Sequence, residues 1–219
     1  MLVYVLDTSA VTDPRLRGVL GVSSLESVVR ELTRLFTRAH IVASAQFYMT
    51  PSTALELRGF LERNGVSDEV INAFLSIVSI KAPDMYGTRI PAHVMSNWIQ
   101  EVSMRFYRGL RVAEQMVRKS SGLAYSAGEK GDRDLLEKQV AEAIHELRAR
   151  YREATRKGVI DTIVDFDSVI LAKELNGSLV TNDDGIKRLC QELGVKYIDP
   201  PLFISQLLII LRERIPRRP

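Results

Sequence analysis

The chain has 219 residues, 46% of them hydrophobic, and a net charge of +3, which suits one good-sized domain or a compact domain with a large insertion. That charge is too small to indicate a nucleic-acid partner by itself, and no run approaches the ~18 uncharged apolar residues of a membrane helix. One cysteine, Cys190, excludes an internal disulfide or a cysteine zinc site, and His40, His93 and His145 are too scattered for a histidine metal centre.

The first six residues, MLVYVL, are strand formers. Asp7 interrupts them with no basic leader or cleavage site, so neither a signal peptide nor a membrane anchor is expected, and a cytoplasmic location is. Residues 23–40, SSLESVVRELTRLFTRAH, have apolar positions at helical spacing, with Ser23 or Ser24 as the cap. SAQFYMT (44–50) reads as a second strand. Pro51 and Ser52 open a helix that Gly65 stops, and Ser67-Asp68 caps another, DEVINAFLSIVSI, predicted to run to residue 80.

From 83 to 157 strand patterns vanish. Two long amphipathic helices are predicted, 90–121 and 133–157, joined by a Gly/Ser-rich turn at 120–132. In the second, Leu136, Val140, Ile144, Leu147 and Tyr151 form a narrow seam suited to one partner helix. After Gly158 the alternation returns: helix 165–177 closed by Asn176-Gly177, strand 178–183, helix 184–194, strand 195–199 and a last helix from Pro200. Strands alternating with helices predict an α/β fold, a parallel sheet flanked by helices, formed by 1–82 and 158–219 with a helical subdomain inserted at 83–157.

In open α/β sheets, sites form beyond the carboxyl ends of the strands. Asp7 ends the first strand; Asp183 and Asp184 follow SLVTN; Asp165 and Asp167 begin a helix; Glu56 sits one turn into another; Asp161 is four residues before Asp165. Taken singly, Asp165, Asp167 and Asp184 are good helix caps, and an aspartate after a strand is common turn chemistry. Asp7 resists that reading, because a carboxylate at the end of a central strand needs partners. Several carboxylates together repel unless they bind protons or a cation. Oxygen ligands without histidine or cysteine suit Mg²⁺ or Mn²⁺, and such a site suits phosphodiester hydrolysis. The sequence has no Walker loop, Gly-rich dinucleotide loop or Ser/His/Asp set, and Thr8-Ser9 after Asp7 argues against a phosphoaspartyl phosphatase.

VLDTS, PSTALELRGF and DSVILAKELNGSLVTNDDGI together resemble the PIN-domain nucleases. The resemblance implies an acidic quartet of Asp7, Glu56, Asp167 and Asp183, oriented by Thr8 or Ser9 and Thr181-Asn182, with Asp184 as an additional acid. YREATRKGVIDTIVDFDSVILAKEL, with Asp161 and Asp165 upstream of Asp167, the long helical insertion before it and VLDTSAVTDP at the start, is similar over nearly the whole chain to a narrower group. That group is the protein-only ribonuclease P family of homologs of Aquifex RNase P, once labelled RNA ligase partner proteins. It implies metal-dependent removal of the 5′ leader from precursor tRNA, with Asp7, Asp167 and Asp183 as metal ligands. It further implies a helical insertion that assembles dimers into rings and grasps tRNA. A generic PIN ribonuclease and a non-catalytic RNA-binding adaptor are the alternatives; the complete acidic set favours catalysis.

The insertion agrees with RNA binding. Residues 105–157 carry 13 Lys and Arg against 8 Asp and Glu. Arg148, Arg152 and Arg156 form one stripe, and Arg111, Arg118 and Lys119 a second; phosphate contacts need charge on a rigid element. The plain alternative is a solvated face paired with Glu142, Glu146 and Glu153. Phe106, Tyr107 and Tyr125 are expected mainly as core, Trp98 as core or a subunit contact, and LLIIL as core or interface.

Overall fold

Five short strands form one parallel sheet in the computed structural model, which describes residues 2–130, 133–156 and 163–214, with the side chains of 123–130, 133, 156 and 214 outside that description. They are β1 (Leu2–Leu6), β2 (Ala45–Met49), β3 (Ser79–Ile80), β4 (Ser178–Val180) and β5 (Lys196–Ile198), in the order β3-β2-β1-β4-β5. The central position of β1 explains its unbroken apolar run: a parallel strand covered on both faces has no solvent side on which to place polar residues. Leu6 pairs with Val180, so β1 and β4 end together, and the Asp7 amide donates to the Val180 carbonyl at 3.1 Å.

One face is covered by α3 (Leu25–Ala43) and α10 (Pro200–Arg214). Tyr4, Phe36, Phe47, Phe74 and Phe203 form its aromatic core, with the Phe36 and Phe47 rings stacked at 4.1 Å. Leu207 and Leu211 of LLIIL are buried in this layer, whereas Ile209 is exposed. Helix α8 (Ile163–Glu174) packs on β1 and β4 and against α9 (Asp184–Leu193). It is buried at Ser168–Ala172, about one and a half turns of small and aliphatic side chains.

Local chemistry sets the ends. Ser24 caps α3, its hydroxyl accepting from the Ser27 amide. Thr50 caps α4 (Pro51–Arg63), accepting from the Thr53 amide, with Pro51 in the first turn where its missing N–H costs nothing. Three features differ from the sequence expectation. Two short helices, α1 (Ser9–Thr12) and α2 (Leu16–Leu20), follow Asp7 where no element was assigned. Helix α5 (Asp68–Ser76) stops four residues early, and Ser79–Ile80 peel off as the edge strand β3, beta-branched Val78 and Ile80 favouring extended backbone once the helix has lost its buried face. Helix α6 (Ala92–Lys130) continues through the expected Gly/Ser turn. Two glycines, Gly122 and Gly128, and three serines cost about 1 kcal/mol each at most, and the Leu, Ala, Glu and Lys among them are good helix formers.

The chain divides into two compact units: Met1–Ile90 with Ile160–Pro219, and Pro91–Val159. In the second, α6 packs along α7 (Arg133–Arg156). Gly109 leaves room for the Tyr151 ring, since a Cβ there would lie 2.6 Å from it. The Arg108 Nε donates to the Ala154 carbonyl at 3.0 Å, and Lys119 Nζ lies 2.5 Å from Glu146 Oε2. Among the described residues, no helix is long and apolar enough to cross a membrane.

Candidate active site

Asp7 leaves β1 with its carboxylate 9% exposed. Its Oδ2 accepts from the Ser9 hydroxyl at 2.7 Å, the Thr181 hydroxyl at 3.0 Å and the Ser9 amide at 3.3 Å. Oδ1 has no hydrogen bond among the described residues. A carboxylate held through one oxygen with the other left over is aimed, as ligands supported by an outer shell of donors are. The chemistry of the donor set fits a hard cation: no cationic side chain among the described residues pairs with Asp7, Asp167 or Asp183.

Thr181 and Asp183 complete this edge. The Thr181 hydroxyl that donates to Asp7 accepts from the Asp183 amide at 3.1 Å. Asp183 caps α9, its Oδ1 accepting from the Ile186 amide at 2.9 Å. The cap is therefore Asp183 and not Asp184: Asp184 begins the helix itself, exposed, with its carboxylate 3.0 Å from Lys187 Nζ. The hydrogen bond from Lys187 and its charge hold the Asp184 carboxyl below the ordinary value.

Asp165 and Asp167 stand inside α8, since the helix begins at Ile163; neither caps it. Both are half-buried. Burial pushes the Asp167 carboxyl above the ordinary aspartate value, the expected response of a carboxylate that has lost water and gained no cation. The next residue, Ser168, is 1% exposed, and its hydroxyl lies 3.1 Å from that of Thr53 in α4, which in turn is 2.8 Å from the Thr50 hydroxyl. This chain of three buried hydroxyls fixes α4 against α8. It registers Glu56, exposed one turn beyond Thr53, relative to Asp167 beside Ser168. Asp161 lies outside the described residues.

The structure thus joins Asp7 and Asp183 in one hydrogen-bond network and relates Glu56 to Asp167 through a second. Among the described residues no three Asp, Glu, His or Cys side chains stand close enough to hold a single ion as they are. Residues that the sequence reading passed over are prominent. Asp13 is 3% exposed, and Thr50, Thr53 and Ser168 are buried. Asp13 stands before a proline and reads as turn chemistry; its signal is Arg15 two positions on. Isolated hydroxyls in amphipathic helices carry no comparable signal.

In the helical unit, Arg148 and Arg152 are exposed and make no ion pair among the described residues, although the Arg152 Nε donates to the Arg148 carbonyl at 3.1 Å. Of the partners the plain alternative gave them, Glu146 is taken by Lys119 at 2.5 Å and Arg150 at 2.8 Å, and Glu142 and Glu153 make no ion pair among the described residues. Lys119 is therefore a link between α6 and α7. The backbone of Arg156 closes α7, and its side chain is outside the described residues, as is that of Tyr125. Phe106 and Tyr107 are 69% and 60% exposed, contrary to the core expected of them, because the α7-facing side of α6 runs through Arg105, Arg108, Gly109 and Met116. Arg111 sits over the Tyr107 ring at 5.7 Å, and Trp98 is half-buried.

Comparison with known proteins gives consistent findings. Residues 3–212 match the family model described as PINc domain ribonuclease. The chain is 60% identical to the RNA-free ribonuclease P of Staphylothermus marinus over 216 residues, 99% of each chain. It is 44% identical to the RNA-free ribonuclease P of Hyperthermus butylicus, over 96% of this chain and 89% of that one. It is 41% identical to the RNA-free ribonuclease P of Ignicoccus hospitalis, over 94% of this chain and 95% of that one.

Proposed function

The chain belongs to the RNA-free ribonuclease P family of PINc-domain ribonucleases, and from that premise we propose that it removes the 5′ leader of precursor tRNA by hydrolysis assisted by Mg²⁺ or Mn²⁺. It is an endoribonuclease of the ribonuclease P type, leaving the phosphate on the 5′ end of the mature tRNA. The observation that carries the site assignment is the Asp7 carboxylate: three donors hold Oδ2, and Oδ1 is left uncommitted beside the turn that carries Asp183.

Asp7, Asp167 and Asp183 are the residues that would hold the ion, with Glu56, Asp165 and Asp184 as further ligands or water positioners and Asp161 as outer support. When bound, the ion supplies the Lewis-acid chemistry of phosphodiester cleavage. The chain's own part is positional. Ser9 and Thr181 fix the plane of the Asp7 carboxylate. Thr181 also fixes the start of the Asp183 turn. The Thr50–Thr53–Ser168 hydroxyls fix the helix carrying Asp167. A cation held there would offset the burial that raises the Asp167 carboxyl.

The inserted helical unit is the RNA-holding and assembling part of this reading. Arg148 and Arg152 present unpaired charge four residues apart on α7, with Arg156 and Lys119 as further RNA-binding residues in this reading, although Lys119 is paired with Glu146 and the Arg156 side chain lies outside the described residues. Met95, Ile99, Val102, Phe106, Leu110 and Val117 recur every three, four or seven residues along α6, and all are exposed. Such a stripe favours a homo-oligomer over a monomer; dimers assembling into larger rings are the form we infer. A cytoplasmic location accords with a free, buried Cys190, whose thiol burial pushes up to about 12.

Substitution tests this directly. In Asp7→Asn and Asp167→Asn, leader removal from a precursor tRNA falls by at least about a thousandfold while far-UV circular dichroism is unchanged, each carboxylate being a ligand whose loss removes most of the metal's contribution. Cleavage at the wild-type rate in both variants would sink the assignment.

A further inference from the structure

A second buried carboxylate stands behind the acidic edge. Asp13, at the carboxyl end of α1, is 3% exposed. Its Oδ1 accepts from the Arg15 amide at 2.9 Å and Nε at 3.0 Å; its Oδ2 accepts from Arg15 Nη2 at 2.6 Å and from the Asn182 side-chain amide at 3.0 Å. Burial would raise its pKa; the hydrogen bonds from Arg15 and Asn182 outweigh this and hold it below the ordinary value. It is therefore ionised and committed on both oxygens, with nothing left to give an ion or a substrate.

What it holds is the turn between β4 and α9. The Asn182 backbone amide donates to Ser9 Oγ at 3.0 Å, and Ser9 Oγ donates to Asp7 Oδ2 at 2.7 Å. Asn182 is thus gripped from both ends, by Ser9 at its backbone and by Asp13 at its side chain. Thr181 before it is bonded to Asp7, and Asp183 follows. Arg15 extends the clasp to the next strand: Nη2 reaches Asp199 Oδ2 at 2.9 Å, where β5 passes into α10. The chain ends of β1, β4 and β5 are tied at one point.

We propose that Asp13 is a positioning residue for the nuclease site, and that it acts through the Asn182 side chain to set the separation of Asp183 from Asp7. The inference rests on the function proposed above for Asp7 and Asp183. A purely structural ion pair between Asp13 and Arg15 would not need Asn182, and a solvated Asn182 would not need a buried acceptor. The bond between them is the one contact of the clasp made by the Asn182 side chain. Its loss leaves the turn held at Thr181, at the Asn182 amide by Ser9 and at the Asn182 carbonyl by Lys187 Nζ at 2.9 Å, with its side-chain anchor gone.

The test uses the full-length protein and Mn²⁺, bound in the absence of RNA and followed by electron paramagnetic resonance, together with cleavage of a precursor tRNA at varied Mn²⁺. Asn182→Ala removes the bond from its exposed side and is the variant that keeps the fold; Asp13→Ala and Asp13→Asn remove or weaken it from within. Outer-shell partners of a metal site are worth roughly 10- to 100-fold in affinity or activity. The expected result is a rise of that size in the Mn²⁺ concentration for half-saturation in Asn182→Ala and Asp13→Ala. A smaller rise is expected in Asp13→Asn, which retains an acceptor oxygen. KM for the RNA should stay within about twofold, and the Asn182→Ala/Asp13→Ala double variant should be no worse than the poorer single one, the two residues sharing one bond. Asp199→Ala, which removes the other partner of Arg15, should leave Mn²⁺ binding unchanged. Half-saturation within twofold of wild type in Asn182→Ala overturns the proposal, and so does an additive double variant. Wild-type protein that binds Mn²⁺ and cuts no tRNA would fail the functional reading while leaving the binding arm of this test intact.

Discussion

The two units of this protein solve the burial problem differently. The sheet unit sinks its large apolar side chains: Phe36, Phe74, Phe203, Leu6 and Met49 are among those with no more than a trace of exposure. In the helical unit, among the described residues, only Val94 and Met116 are buried hydrophobics, while Ile99, Phe106, Tyr107, Leu110 and Val117 are each more than half exposed. A pair of long helices buries only the narrow seam along which the two touch. The sheet unit is covered on both faces of β1 and can hold carboxylates to fixed geometry. The helical unit leaves large apolar side chains at its surface.

That contrast can be broken from either side. The largest effect is expected from Phe106→Glu with Leu110→Glu. Two charges in the middle of the α6 stripe should dissociate the homo-oligomer proposed above, read by light scattering as a fall to the mass of a smaller species, with Mn²⁺ binding by the sheet unit retained. Unchanged mass would mean that the stripe is not the contact surface. Next is Arg148→Ala with Arg152→Ala. If both arginines meet phosphates, tRNA affinity drops uniformly across tRNA species and the slope of log K against log salt falls by about 0.7–0.9 per lost contact. An unaltered slope would return the stripe to ordinary solvated charge.

Gly109→Val sharpens the comparison within the helical unit. The nearest obstacle is the Tyr151 ring, which must move or push α7 away, and overpacking of this kind costs typically 1–3 kcal/mol. A lower melting temperature with undiminished Mn²⁺ binding is expected; loss of Mn²⁺ binding would contradict the placing of the metal ligands on Asp7, Asp167 and Asp183 alone. The smallest change is Ser168→Ala. It deletes one buried hydrogen bond while Thr53 keeps the Thr50 hydroxyl, a cost of about 0.5–1.5 kcal/mol. Denaturant melts should show that loss with an unchanged slope.

The parallel sheet and its acidic edge were legible because both write themselves into short windows. An apolar run ended by Asp7, and Thr181-Asn182-Asp183 after SLV, are local patterns that a strand end imposes. The edge strand at Ser79–Ile80 was not, since two residues paired on one side carry no periodicity of their own. Nor was the continuation of α6 through Gly122, because helix propensity there is decided by the length of helix already formed on either side. In the site, Asp7 and Asp183 announced themselves, whereas Asp13 and Ser168 did not. The first is explained by Asn182, 169 residues away, and the second by Thr53, 115 residues away. Contacts of that span belong to topology and leave no mark in a window.

The central claim is that the Asp7 edge performs a single, metal-dependent cut at the 5′ boundary of tRNA. The most direct measurement is the position and metal dependence of cleavage of a 5′-labelled precursor tRNA, with EDTA and Asp7→Asn as controls. The account predicts one product ending at the mature 5′ boundary, formed with Mg²⁺ or Mn²⁺ and abolished by either control. Scattered cuts along the RNA, or a correct cut that survives Asp7→Asn, would contradict it.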